Sequence, residues 1–251
     1  MKLPLHWLLP SITGVPILMY HRVSVFQSER LTITVRDLRD QFRYLRENGY
    51  TTVSLSHFLD AISGKALLPE KSCMLTFDDG YLSHCELVYP LLNEFSFQAV
   101  FFIVGNTLEK TFVNDRVPGN ERMTVSELMN LDHAIVQLAL HGYNHLSFAR
   151  CSSAQIRHDL YKNSLAVAKS GCLFYSVLAY PYGARPRSVA SFLRLKQWMK
   201  QQEIVAAFRI GNKPCIMDHP DPYNLSRIDI SGTDTIKEFS IKLKKGKLKP
   251  F

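Results

Sequence analysis

The sequence predicts an α/β fold with parallel strands, either a (β/α) barrel or a doubly wound sheet. Two observations lead there. Apolar runs of strand length alternate with helical patterns seven or eight times along the chain, and such alternation requires parallel pairing. No internal repeat and no linker divides the 251 residues, so a single domain accounts for them.

The elements follow in order. Val15-Pro16-Ile17-Leu18-Met19-Tyr20 is an apolar run and a buried-strand candidate. Thr34 caps a helix whose apolar residues Leu38, Phe42 and Leu45 recur at intervals of four and three, with Gly49 as its stop. Residues 50–53 are β-rich, 56–62 read as a short helix and 72–77 as a strand. A helix over 83–95 carries Pro90 as a kink. Residues 99–104, Ala-Val-Phe-Phe-Ile-Val, form the clearest buried strand. Residues 105–123 read as a long loop, and loops of that length inside a compact domain are functional or mobile. The capping box Thr124-Val125-Ser126-Glu127 opens a helix. A strand at 135–140 leads to a long helix capped by Ser152 and ended by Gly171. Strands at 174–180, 204–208 and 225–230 and helices at 188–202 and 235–243 complete the pattern, with a Pro- and Asp-rich loop at 211–224.

Composition bounds the function. Hydrophobic residues at 46% and charged residues at 21% exclude a disordered or low-complexity chain. A chain of this length buries roughly 70–75% of its unfolded surface, so a metal here serves function rather than folding. The net charge is +8, and Lys242, Lys244, Lys245, Lys247 and Lys249 crowd the C-terminus. With only Phe251 beside them they make no stacking surface for nucleic acid. The segment 242–251 reads as a solvated basic tail, or more sharply as a peripheral contact with an anionic membrane surface. Five scattered cysteines give neither a zinc ribbon nor a disulfide framework, and Cys73 reads as a buried hydrophobe. Near the N-terminus two prolines and a histidine interrupt the apolar residues 3–10, so no cleaved signal peptide is expected. A cytoplasmic location, with contact at the inner face of the membrane, is the resulting expectation.

Three motifs fall directly after apolar runs, where both architectures place chemistry. Asp78-Asp79-Gly80 follows Thr76-Phe77; alone it reads as a turn closing a strand. His141-Gly142-Tyr143-Asn144-His145 follows Leu138-Ala139-Leu140; alone, such a pair is incidental. Together, one carboxylate and two imidazoles from two strand ends make a metal set with open positions, suited to Zn²⁺ or another divalent ion. The spare aspartate is then free to take the proton of an acidified water. Tyr180-Pro181-Tyr182-Gly183 alone reads as an ordinary strand-end turn with a packed aromatic; beside a metal, the same sharp turn can aim the Tyr182 N–H outward as an oxyanion donor. His21 ends the first run and reads equally as a satisfied core or rim histidine or, by the same strand-end logic, as a residue facing the site, an acid for a leaving amine.

These motifs, in their order and spacing, resemble the polysaccharide deacetylases of carbohydrate esterase family 4, the NodB-homology proteins. The opening Pro16-Ile17-Leu18-Met19-Tyr20-His21-Arg22-Val23 and the later Leu225-Ser226-Arg227-Ile228 resemble the branch acting on poly-N-acetylglucosamine and related exopolysaccharides. The likeness spans about residues 15–245. It implies a distorted (β/α) barrel of about seven parallel strands, with Asp78 as general base and Asp79, His141 and His145 holding zinc or a similar ion. It also implies Tyr182 as the oxyanion contact, Pro181, Tyr182 and Arg227 at the substrate, and His21 in place of the family's late Leu-x-His histidine. Three departures stand out: Gly142 where the family has Ser or Thr, Ala179 where it has an arginine contacting the base, and no Asp-Trp motif. Arg227 is the candidate replacement for that arginine. The implied activity is removal of N-acetyl groups from a polysaccharide or lipid-linked glycan. The alternatives are an O-acetyl esterase or deformylase on a lipid-linked sugar, and a non-catalytic carbohydrate-binding relative.

Overall fold

The computed structural model describes residues 14–109 and 119–246. The N-terminal segment, residues 110–118 of the expected loop, and Lys247, Lys249 and Phe251 lie outside the described residues. The strands are β1 (Ile17–Tyr20), β2 (Arg22–Ser24), β3 (Thr32–Thr34), β4 (Thr51–Thr52), β5 (Ser72–Asp78), β6 (Ala99–Ile103), β7 (Val136–Leu140), β8 (Phe174–Ala179), β9 (Ala206–Ile210) and β10 (Leu225–Asp229). The helices are α1 (Val35–Glu47), α2 (Leu55–Ile62), α3 (Tyr89–Phe95), α4 (Val125–Met129), α5 (Ser153–Ser170), α6 (Val189–Gln201) and α7 (Ile236–Lys245).

β1 and β5–β10 close a seven-stranded, all-parallel barrel: β1 pairs with β10 on one side and with β5 on the other. β4 adds to the edge of β5. β2 and β3 form a separate parallel pair that the sequence pattern does not reveal. The register of β7 against β8 shifts between Ala139 and Leu140, immediately before His141, which distorts the barrel at the site.

Helix starts follow local chemistry. Thr34 caps α1 through the Asp37 N–H, and reciprocal capping boxes open α4, α5 and α7. The helix expected over 83–95 is two elements. A π-turn, His84–Val88, precedes α3, whose first turn holds Pro90, where the missing N–H is tolerated.

Strand alternation sorts the core. Ile17, Met74, Val100, Phe102, Ala139, Val177, Ala206, Phe208 and Leu225 pack together inside the barrel, where Val53, Leu55 and Phe58 join them. Leu18, Leu75, Phe77, Phe101, Leu138 and Ile228 face outward, against Phe42 of α1, Leu92 of α3 and Phe239 of α7. Both strand faces are buried, as a parallel barrel under helices requires.

One expectation is corrected here. Lys242 does not belong to a solvated tail; it is a buried residue of α7. Its ammonium donates to the Asp229 carbonyl at 2.9 Å and to the Asp234 carboxylate at 2.5 Å, so the helix face of Phe239, Lys242 and Leu243 turns inward. Among the described residues no helix is long and apolar enough to cross a membrane.

Candidate active site

Period-two alternation places the polar residues. Met74, Thr76 and Asp78 share one face of β5 and Leu225 and Arg227 one face of β10, while Ala139 leads to His141 past the end of β7. These residues therefore point into the barrel at its carboxyl mouth. Arg227 clamps Asp78 with two bonds, Nη1 to Oδ1 and Nη2 to Oδ2, both 2.7 Å. Nη1 also donates to Thr76 Oγ1 at 3.2 Å, and the guanidinium lies 5.2 Å from the centre of the Phe102 ring. Two expectations stand for Arg227, a contact with substrate and a replacement for the arginine missing at Ala179. The side chain is fully buried and bonded to Asp78, which matches the second and not the first. Pro181 is buried as well, so of the three expected substrate contacts only Tyr182 presents side-chain surface.

Asp79 sits in the left-handed region at φ 77, and its carboxylate meets two imidazoles. His141 Nε2, His145 Nε2 and Asp79 Oδ1 form a triangle. Its sides are 3.2 Å between the imidazoles, 3.2 Å from His145 to Asp79 and 3.4 Å from His141 to Asp79. Donor bonds of about 2.0–2.1 Å around a tetrahedral ion put neighbouring donors about 3.3 Å apart. His141 Nδ1 lies 2.8 Å from the Ala179 carbonyl, which can only accept, so this nitrogen carries the proton and the Nε2 lone pair of the neutral ring faces the triangle. Asp79 Oδ1 is buried without a hydrogen bond. With His145 in the tautomer protonated at Nδ1, the three atoms offer converging lone pairs, a set that fits a divalent cation.

The electrostatics agree. Burial pushes the Asp79 carboxyl up, but His141 and His145 hold it well below the usual carboxylate range. Burial also pushes Asp78 up, and Arg227 and then His141 outweigh it, so Asp78 is an anion at neutral pH. Against the cost of burial, Asp78 and Asp79 raise the proton affinity of His141. Such a field attracts a cation.

His21 lies close enough to feel the charges of Asp78, Asp79, Arg227 and His141. Burial lowers its pKa, and the next largest influences on it are Asp78 and Asp79. Its Nδ1 is buried without a partner, and its carbonyl lies 2.7 Å from His84 Nε2. Tyr182 adopts φ 58, and its ring lies 4.6 Å from that of His145. The first backbone bond of its turn runs from Gly183 N to Tyr180 O, so the Tyr182 N–H is an unsatisfied donor at a helix start.

Two residues here escaped the motif search. Asp159 of α5 accepts the N–H groups of Tyr143 and Asn144, both at 2.8 Å, and so holds the loop between the two histidines. His84 is fully buried and kept neutral, its pKa pushed down by burial to about 4. Asp159 had a readable signal. Asp159 and Asn163 interrupt the buried stripe Ile156, Leu160, Ala166, and a polar residue on a helix's core face needs a partner.

Comparison with known proteins identifies the family. The poly-β-1,6-N-acetyl-D-glucosamine N-deacetylase of Escherichia coli (strain K12) is 40% identical over 98 residues, 38% of this chain. That match covers 15% of the Escherichia coli protein, so the chain spans a small part of that relative. The enzyme of the same name from Staphylococcus aureus (strain MRSA252) is 25% identical over 170 residues, 66% of this chain and 58% of its own length. Among solved structures, a Streptococcus pyogenes deacetylase in complex with acetate superposes with a TM-score of 0.78 at 17% identity, covering 92% of this chain and 99% of its own. A de-N-acetylase from Aggregatibacter actinomycetemcomitans gives 0.74 at 23% identity, over 91% and 99%. These likenesses establish the shared fold. The family model for polysaccharide deacetylase matches residues 65–198, more than half of the sequence and all three of the strand-end motifs, and this chain is a member of that family.

Proposed function

We propose that the chain hydrolyses N-acetyl groups on an N-acetylated amino-sugar glycan, with zinc as the ion held by Asp79, His141 and His145. One observation carries the reading: the three converging acceptors sit beside a second carboxylate that is ionised but clamped elsewhere. An ion held by Asp79, His141 and His145 would polarise the acetyl carbonyl and acidify water. Asp78 takes the proton of the attacking water, its position set by Arg227. The Tyr182 N–H, which makes no backbone bond of its own, is the donor assigned to the developing oxyanion, a contact worth roughly 3–4 kcal/mol in such sites. His21, its pKa lowered by burial, is the stronger acid once protonated and passes a proton to the departing amine. Acetate and a free amino sugar leave.

The test pairs acetate release from N-acetylglucosamine oligomers with metal analysis of the purified protein. Asp78→Asn abolishes turnover and keeps the metal, whereas His141→Ala loses the metal. Full activity in Asp78→Asn removes the base assignment. O-acetylated oligomers and formylated lipid-linked sugars run alongside, and preferential release of acetate or formate from those replaces the N-acetyl reading.

A further inference from the structure

Two grooves open beside the histidines and share Ala149, Ala184 and Arg187 in their walls. The first, about 570 Å³, includes His145, Tyr182 and Arg150. The second, about 400 Å³, runs on past Gly183 to Arg185 and Arg209. Both volumes suit a small-ligand site, roughly 300–1,000 Å³. Four guanidiniums thus line one continuous depression that begins at the site, and no carboxylate lines either groove.

The charges are not neutralised by hydrogen bonding within the groove. Arg185 donates to Asn224 Oδ1 at 2.9 Å and to the Pro186 carbonyl at 3.2 Å. Arg209 donates to the Ile210 carbonyl at 3.2 Å, while its Nε is buried without a partner. Burial and then the charge of Arg185 lower the proton affinity of Arg209. Like charges held together this way destabilise the ligand-free fold, and a bound anion reverses the sign of their effect. The planar guanidinium fork matches carboxylate and phosphate oxygens.

We infer that this groove is an anion subsite, and that the glycan bears carboxylate or phosphate groups beside the N-acetyl sugar under attack. The inference rests on the proposed glycan substrate and narrows it. A polymer of free amino sugars is cationic, and the arginines repel it. An anionic glycan is attracted before and after its acetyl group is lost.

The experiment measures binding to the intact chain by equilibrium dialysis. The probes are a neutral β-1,4-linked N-acetylglucosamine pentamer and the same pentamer with one primary hydroxyl oxidised to a carboxylate or converted to a phosphate. At low ionic strength a charged pentamer binds at least about tenfold more tightly than the neutral one, and the ratio falls as salt approaches about 1 M. The better of the two charged probes identifies the anion. Arg150→Gln and Arg187→Gln, both at exposed positions, reduce the ratio severalfold, while Arg36→Gln on α1 leaves it unchanged. Equal binding of charged and neutral pentamers overturns the inference, as does a ratio that neither groove variant moves. A single-stranded oligonucleotide that displaces the charged pentamer at equal concentration also overturns it, in favour of nucleic acid. Acetate release from the neutral pentamer is scored separately. Release without charge selectivity defeats the anion subsite alone, and charge-selective binding without release from any pentamer defeats the deacetylase reading alone.

Discussion

Replacing Arg227 by Met removes the counter-charge of Asp78 at a place water does not reach. The side chains are 0% and 3% exposed and are joined by two 2.7 Å bonds. Two unit charges about 4 Å apart attract by about 4 kcal/mol at an effective dielectric constant of 20. Removing one member of a buried pair typically costs about 3–5 kcal/mol, because the other charge is stranded. Arg227→Met therefore loses about 3–5 kcal/mol at pH 7, less whatever His141, 3.8 Å from Asp78, restores. The double variant Arg227→Met/Asp78→Asn strands no charge and is more stable than Arg227→Met alone. The pH dependence changes sign. In the parent, Arg227 holds the folded-state pKa of Asp78 below its unfolded value, so the stabilisation is present above about pH 4 and is lost on acidification. Without Arg227, burial dominates and the folded pKa rises above the unfolded one. The variant then gains stability as pH falls from 7 toward 5. Urea unfolding followed by circular dichroism at pH 5, 6 and 7 measures both effects. A loss under about 1 kcal/mol, or single-variant losses that simply add in the double, refutes the claim that Arg227 keeps Asp78 ionised.

Asp159→Ala frees the two N–H groups that fix the histidine loop and weakens zinc binding about 10–100-fold by isothermal titration; unchanged affinity removes Asp159 from its positioning role. Gly142→Ala lowers the thermal midpoint, because φ is +71 and an added Cβ lies 2.9 Å from Asp159 Oδ2, a strain of about 1–3 kcal/mol. His84 is neutral in the fold with a pKa of about 4 against 6.5 unfolded. Its contribution is intact above pH 6.5, and as pH falls toward 4 the chain loses up to about 3 kcal/mol. His84→Leu flattens that acid limb of the stability profile, and an unchanged limb contradicts the assignment.

The barrel was legible because its signals are local. Strands buried on both faces read as apolar runs, and Thr34, Thr124, Ser152 and Thr235 mark helix starts through bonds spanning three residues. The metal-ligand candidates were legible because two short motifs contain all of them. What stayed hidden depends on distant partners. Arg227 and Asp78 are 149 positions apart, so spacing alone could not pair them and only the family resemblance made Arg227 a candidate; the contact requires the closure of β10 against β1 and of β1 against β5. The three-residue strands β2 and β3 are too short to show alternation. Lys242 looked like tail because four further lysines follow it, yet its three-residue offset from Phe239 puts it on the inward face of α7. The π-turn before α3 arises from the Tyr89 N–H bonding back to the His84 carbonyl, a five-residue step that no propensity encodes.

Adjacent carboxylates repel, and the backbone explains how this chain keeps both. Along β5, alternation points Asp78 inward and would point Asp79 outward, beneath the helices. The left-handed turn at Asp79, φ 77, followed by Gly80 at φ 69, reverses that direction and returns the second carboxylate to the mouth of the barrel. The same device recurs at His145, φ 53, and Tyr182, φ 58. Non-glycine residues rarely adopt this conformation, at a cost of about 1–3 kcal/mol each. All three lie where a strand has ended and its alternation no longer chooses a direction, and each turn sets its side chain toward His141 or its neighbour. Handedness thus divides the pair: Asp78, still in the strand, meets a guanidinium, while Asp79, past the reversal, meets two imidazoles. Two chemically identical side chains acquire different partners from a left-handed turn at Asp79 and Gly80.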